Sequence, residues 1–296
     1  MPPSPPHLIA LHGGAGVHPG RDYGEVEAHL ADLAREGEAM LARGASALDT
    51  VERAVAALED SGLYVAGRGS APNDSGFVEC DAAIMDGARM RAGGVCALVD
   101  VASPVAAARA VLEHTPHVLL AGAGARRFAQ ERGLALVADP AAHYRLPVGV
   151  EAEETRRPGS GLSHGTVGAV ALDRSGRLAA ATSTGGLLGK REGRVGDTPL
   201  TGIGNWADGE LAISCTGIGE AFILAGGARD MAARIAYGGL SLDDAGEAML
   251  AAVAGHDGDG GLIAVDRSGA VAMKFNSPGM KRAVAGSAIP LSVAIL

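Results

Sequence analysis

Forty-five glycines and 58 alanines make up about a third of the 296 residues, set against four Phe, four Tyr and one Trp. A chain so poor in rings cannot fill its interior with bulky side chains, so its core must close by bringing backbones together. The length suits one large or two ordinary domains. Mean hydropathy of +0.18 with 20% charged residues excludes wholesale disorder. No apolar run approaches the 18 residues of a spanning helix. The net charge of −9, without any Lys/Arg block, argues against a general nucleic-acid binder, although it leaves room for a local basic pocket. The opening MPPSPPHLIALHGG lacks the basic n-region of a secretory signal. Cys80, Cys96 and Cys215 are odd in number, lack CxxC spacing and sit among apolar neighbours. They read as buried reduced thiols, and a cytoplasmic setting is expected.

Turn chemistry divides the chain. A strand over His7–Leu11 runs into the glycine turn HGGAG, and amphipathic helices follow at Glu25–Leu41 and Ser46–Leu58, the latter capped by Ser46 with Asp49 three residues on. Asp86-Gly87 predicts a hairpin between strands at Phe77–Met85 and Met90–Val99, and Pro104 opens a helix to about Glu113. From Ala138 to His164 proline, glycine and charge alternate without period, which predicts a flexible linker or tail of more than 20 residues. Beyond it the pattern is β-rich. Strands at Thr166–Leu172 and Arg177–Ser183 flank DRSG, and the same four residues recur at Asp266–Gly269 between Leu262–Val265 and Ala270–Phe275. Helices are expected at Ile218–Tyr237 and Ser241–Ala254. Strands in both halves with helix pairs between them favour two packed sheets flanked by helices, an α+β organisation, over doubly wound alternation.

Several motifs carry little chemistry. GAGARR (Gly122–Arg127) lacks the third glycine of a dinucleotide turn and reads as a helix start. HTPH (His114–His117) has no third ligand nearby, and HDGDGG (His256–Gly261) lacks calcium-loop spacing and reads as a turn entering a strand. No GxSxG, P-loop or HExxH is present. The informative point is Thr166, placed where the unpatterned segment meets a strongly patterned strand. It is either a β-branched residue entering that strand or, if the chain is cut before it, a nucleophile whose own α-amine is the base. Thr182, Ser183 and Thr184 end the next strand, so one of them is expected beside Thr166 across the pair. CTGIGE (Cys215–Glu220) ends a strand at a glycine turn whose N–H groups could hold an oxyanion. Arg194 and Asp197, three apart in GRVGDTP, are either a solvated surface pair or a reader of both ends of an α-amino acid.

Taken together, LHGGAG (Leu11–Gly16), GFVECDAAIMDG (Gly76–Gly87), HGTVGAVALD (His164–Asp173), TSTGG (Thr182–Gly186), GRVGDTPLTGIG (Gly193–Gly204), TGIGEAF (Thr216–Phe222) and FNSPGMKR (Phe275–Arg282) resemble, in order, the isoaspartyl peptidase/L-asparaginase family of N-terminal nucleophile hydrolases. The resemblance implies a single four-layer αββα sandwich domain over 1–296. It also implies self-cleavage between Gly165 and Thr166 into chains 1–165 and 166–296, and a dimer of such heterodimers. By motif position Thr166 is nucleophile and base, Thr184 supports it, and Thr216 with Gly217 forms the oxyanion hole. Arg194 would hold the substrate α-carboxylate, and Asp197 with the Gly219 carbonyl its ammonium. No cofactor is implied for catalysis. A structural sodium ion is implied on backbone carbonyls of Leu58, Glu59, Ser61, Tyr64, Ala66 and Arg68. The family's usual Asn before Ala-Gly is Val65 here. The implied activity is hydrolysis of β-aspartyl dipeptides and L-asparagine, with no nucleic-acid or membrane partner. The alternatives are a glycosylasparaginase-like amidase and an inert binding protein on the same fold.

Overall fold

The computed structural model describes residues 6–151 and 165–296. In chain order the elements are β1 (Leu8–Ala15), α1 (Gly24–Ala42), α2 (Ala47–Ser61), β2 (Cys80–Asp86), β3 (Arg91–Leu98), α3 (Pro104–His114), β4 (Leu119–Ala121), α4 (Gly122–Glu131) and α5 (Pro140–His143). After the linker come β5 (Val167–Leu172), β6 (Leu178–Thr184), β7 (Asn205–Ala207), β8 (Leu211–Gly217), α6 (Gly219–Ala225), α7 (Gly227–Gly238) and α8 (Leu242–Ala254), then β9 (Gly260–Asp266), β10 (Val271–Phe275), β11 (Met280–Gly286) and β12 (Ile289–Ala294). The fold is α+β. One sheet runs β12-β11-β1-β5-β6-β2-β3-β4 and a second runs β10-β9-β8-β7.

Three apolar clusters hold these elements. One packs α1, α2 and α3 against the larger sheet through residues such as Leu30, Val51, Val105 and Leu112. Another lies between the sheets, where Ala10, Val170 and Ala180 meet Ala212, Ile263 and Val265. The third seats α6, α7 and α8 on the smaller sheet through Phe222, Met231 and Met249. Close approach replaces ring volume, as the composition requires. Along β5 and β6 the facing pairs are Ala169 with Ala181, Val170 with Ala180 and Ala171 with Ala179. Where α3 crosses β3, a Cβ on Gly93 would fall 2.2 Å from the Ala108 carbonyl oxygen, so only glycine allows that contact.

Most predicted elements form. Ser46 accepts from Asp49 N–H and caps α2, and Ser241 likewise accepts from Asp244 N–H ahead of α8. The two DRSG turns are built alike, one in each sheet: Asp173 Oδ1 accepts from Ser175 and Arg177 N–H, and Asp266 Oδ1 from Ser268 and Ala270 N–H. GAGARR opens α4, and Cys80, Cys96 and Cys215 are buried and free.

Three expectations are corrected. The first strand does not stop at Leu11; it continues through the glycines to Ala15, because β11 pairs with it out to Ala15, opposite Met280, while the β5 pairing reaches His12. The helix expected over Ile218–Tyr237 is two helices, since Gly226 and Gly227 adopt φ of 82° and 47° and a Cβ at Gly227 would meet the Ile203 carbonyl at 2.3 Å. The tail expected from 138 is structured at its start. Asp139 caps α5, Arg145 N–H donates to the Arg68 carbonyl, and Val148 N–H donates to the Leu63 carbonyl. The remainder of that segment, 152–164, lies outside the described residues.

Candidate active site

The larger sheet sets the position of Thr166. Val167 of β5 faces Ser183 of β6, which continues to place Thr166 beside Thr184, while Asp81 of β2 faces Thr184 from the other side. Both threonines are buried. Thr184 Oγ accepts from Gly186 N–H at 3.0 Å and points its own proton toward the Val65 carbonyl at 3.5 Å.

The Gly165–Thr166 peptide is pressed from two sides. A Cβ on Gly165 would fall 2.3 Å from both Cβ and Cγ2 of Val65. On the opposite side, a Cβ on Gly14, whose φ is +98°, would fall 2.8 Å from Gly165 Cα. Neither position admits a side chain as packed: the Cβ at 165 would overlap the Val65 side chain, and the one at 14 would overlap the Gly165 backbone. Val65, standing where the resemblance leads one to expect asparagine, therefore packs its side chain on the residue before Thr166. Its carbonyl meanwhile accepts from Gly185 N–H at 2.8 Å.

Strand β8 of the smaller sheet ends at Thr216 and Gly217, and Thr216 Oγ accepts from Ala15 N–H at 3.2 Å, leaving its hydroxyl proton to donate elsewhere. Thr166, Thr184, Arg194, Asp197 and Gly217 line one narrow cleft together with Gly165. Thr216 and Gly219 stand just outside its lining. Gly219 backs onto the cleft, since a Cβ there would lie 2.9 Å from Asp197 N and Oδ1.

The charges in this cleft are unequal. Asp197 is buried, and burial pushes its carboxyl up to about 7 against the pull of Arg194. Its Oδ2 meets no hydrogen-bond partner among the described residues. Arg194 is largely shielded and forms a two-point contact with Glu220, Nε donating to Oε1 at 2.8 Å and Nη2 to Oε2 at 2.6 Å. A guanidinium so presented binds a carboxylate by its planar fork. Of the two readings of GRVGDTP, the solvated surface pair is excluded for Asp197, and Arg194 is already serving as a carboxylate clamp.

Sequence reasoning did not identify Glu220, nor a buried polar chain behind Thr166. His12 Nδ1 lies 3.0 Å from the Thr166 carbonyl oxygen and its Nε2 lies 2.8 Å from Ser214 Oγ, which lies 2.9 Å from Thr182 Oγ. His12 was hidden inside what reads as a glycine turn. Only the in–out alternation of a longer strand would have shown it facing inward.

The carbonyls expected to hold sodium surround a tight turn after α2. A Cβ on Gly69 would lie 2.0 Å from the Tyr64 carbonyl oxygen, and one on Gly67 would lie 2.7 Å from the Glu59 carbonyl oxygen, so two of these oxygens line a tight cradle against glycine backbone. Leu58, Tyr64, Ala66 and Arg68 carbonyls each already accept one hydrogen bond, from Ser61 Oγ and from the N–H groups of Ala66, Gly69 and Arg145. A second lone pair remains on each. The donor set, carbonyl oxygens only, suits a hard monovalent cation. The Glu59 side chain points elsewhere, to Ser103 Oγ at 2.7 Å and Val105 N–H at 2.9 Å, and burial pushes its carboxyl up to about 7.

The profile of the asparaginase family matches residues 5–293. The isoaspartyl peptidase of Salmonella typhimurium is 45% identical over 295 residues, covering 93% of this chain and 94% of that one. The isoaspartyl peptidase of Escherichia coli is 42% identical, with 93% and 92% covered. The isoaspartyl peptidase/L-asparaginase of Danio rerio is 39% identical over 285 residues, with 94% and 92% covered. No helix among the described residues is long and apolar enough to cross a membrane.

Proposed function

The chain belongs to the asparaginase family, and from that premise we propose that it is a self-processed threonine amidohydrolase that releases L-aspartate from β-aspartyl dipeptides and from L-asparagine. The observation that carries this reading is the pairing of a buried, unpartnered carboxylate oxygen on Asp197 with the Arg194 fork in the cleft that holds Thr166. A cation site beside an anion site, next to a nucleophile, fits the α-ammonium and α-carboxylate of an amino acid whose side-chain amide is to be cut.

In this mechanism Thr166 Oγ first attacks the Gly165 carbonyl. The acyl group moves from N to O, and water hydrolyses the resulting ester to give chains 1–165 and 166–296. The freed α-amine of Thr166 then takes the hydroxyl proton as the oxygen attacks the β-carbonyl of substrate. Thr216, whose hydroxyl proton is uncommitted, and Gly217 N–H hold the oxyanion. The leaving amine or ammonia departs with the proton from the Thr166 amine, leaving a β-aspartyl ester. Water activated by the same amine cleaves that ester and frees aspartate. Thr184 supports the Thr166 hydroxyl, and the Gly219 carbonyl joins Asp197 at the substrate ammonium.

Two face-to-face sheets with helices outside each support the four-layer αββα arrangement of a single N-terminal nucleophile hydrolase domain. On the same family grounds we propose a dimer of the cleaved heterodimers and a sodium ion in the carbonyl cradle, where it would brace the loop carrying Val65.

A denaturing gel with N-terminal sequencing and a substrate panel tests the whole. Two unequal bands, a second N-terminus reading TVGAV, and turnover of β-Asp-Leu, β-Asp-Lys, β-Asp-Arg or L-Asn are expected. A single band near 29.5 kDa that hydrolyses none of them would overturn the proposal.

A further inference from the structure

We propose that His12 is a positioning residue for the nucleophile: held in one neutral tautomer by Ser214, it donates from Nδ1 to the Thr166 carbonyl and so fixes Thr166 after its preceding peptide bond is gone. This rests on the Thr166 assignment made above. The need for such a hold follows from chain position. The β1–β5 ladder ends at His12 with Gly168, and the β5–β6 ladder ends at Val167 with Ser183, so Thr166 lies one residue beyond the last paired positions. Once cleaved, it would be a chain terminus, and termini fray unless tied down. Its carbonyl is what remains to grip, and His12 Nδ1 lies 3.0 Å from that oxygen.

The chemistry of the chain of contacts assigns every proton. A carbonyl oxygen only accepts, so Nδ1 must carry hydrogen. His12 is completely buried, and burial depresses its pKa to about 3, so the ring is neutral and Nε2 is bare. Nε2 therefore accepts from Ser214 Oγ–H at 2.8 Å, and Ser214 Oγ accepts from Thr182 Oγ–H at 2.9 Å. No donor or acceptor on the ring is wasted, the condition under which a buried polar network sets geometry instead of costing stability. The chain also crosses between the sheets, from β1 and β6 to β8, and ends on the catalytic residue.

Gly168 supplies an independent observation. A Cβ there would lie 2.0 Å from Ser214 Oγ and 2.4 Å from His12 Nε2, so the strand that starts at the nucleophile leaves its side chain out where this hydrogen bond passes. A merely space-filling residue at 12 would need no such gap.

Two substitutions separate the two ring nitrogens. The amide nitrogen of asparagine sits as many bonds from Cβ as Nδ1 does, and that of glutamine as many as Nε2 does. His12→Asn therefore keeps the reach to the Thr166 carbonyl, whereas His12→Gln keeps only the reach to Ser214. For His12→Gln we expect kcat and the rate of appearance of the TVGAV terminus to fall about a hundredfold with KM within about threefold, the size of effect that a displacement near 1 Å produces. His12→Asn should recover both rates to within about tenfold of wild type. In the wild-type protein, the ¹⁵N spectrum of labelled histidine should show His12 neutral at pH 7 with its proton on Nδ1. Equal impairment of the two variants, an unimpaired glutamine variant, or a proton on Nε2 would each overturn the proposal. If the glutamine variant does not fold, an asparagine variant that folds but loses kcat a hundredfold does the same. A wild-type chain that neither cleaves nor turns over β-aspartyl dipeptides defeats the functional reading instead, and the spectrum still reports the tautomer.

Discussion

Replacing Asp197 by asparagine should stabilise the folded chain by an amount that grows as pH rises. The buried Asp197 carboxyl is pushed from 3.8 up to about 7, so between those values the folded chain keeps a proton that the unfolded chain has released. The unfolded state then binds fewer protons, and stability falls with increasing pH by about 1.4 kcal/mol per unit until the folded carboxyl ionises near 7. The total is about 4 kcal/mol, of which about 3 kcal/mol falls between pH 5 and pH 8. Asparagine has the same shape and does not titrate, so it escapes this loss. The measurement is urea unfolding of Thr166→Ala with and without Asp197→Asn, at pH 5 and pH 8. The alanine keeps one uncut chain and hence a simple transition. Contributions of other titrating groups cancel between the two proteins. An advantage of asparagine that is the same at both pH values would refute the reasoning, because it would mean that Asp197 is ionised in the folded chain throughout. On the proposed function, the site carries a buried carboxyl with one bare oxygen at the expense of stability, and a substrate ammonium would relieve it.

The other expectations concern the same cleft. With ammonium binding favouring the ionised carboxyl, kcat/KM should fall toward acid below pH about 7, approaching tenfold per unit, and an unchanged KM across pH 5–8 would contradict this. Arg194→Lys should lower kcat/KM about tenfold or more, roughly 1.4 kcal/mol, with processing intact, since one-point contact replaces the fork. Glu220→Gln should lower KM by up to about fivefold, because substrate must displace a half-exposed carboxylate from Arg194 whose pairing is worth at most about 1 kcal/mol; a rise in KM would mean that Glu220 instead holds the guanidinium in place. Gly165→Ala should slow self-cleavage by about tenfold or more, as its Cβ collides with Cβ and Cγ2 of Val65, and the added change Val65→Gly, which removes both atoms, should restore it, read from band intensities over time.

Local chemistry was legible in the sequence. Ser46, Ser241 and the two DRSG turns specify their caps and hairpins through contacts two to four residues apart, so no distant partner is needed to read them. Strand alternation and the glycine turns likewise placed Thr166 at a strand entry and a second threonine opposite it, and the order of short motifs pointed to Arg194 and Asp197. Tertiary structure decided what those residues experience. That Asp197 is buried with one oxygen unpartnered, that Arg194 already grips Glu220, and that Val65 presses on Gly165 depend on chain segments 26 to 100 residues apart folding against one another. The break at Gly226 was set by the Ile203 carbonyl, and the run after Asp139 acquired order by bonding to the loop at Leu63–Arg68. His12 is the clearest case. Its sequence neighbours are those of a turn, and its role comes from Ser214, 202 positions away on the other sheet, and from the Thr166 carbonyl. Periodicity and propensity report interactions within a few residues, whereas burial, tautomer and pKa are properties of the surroundings that only the packed sheets create.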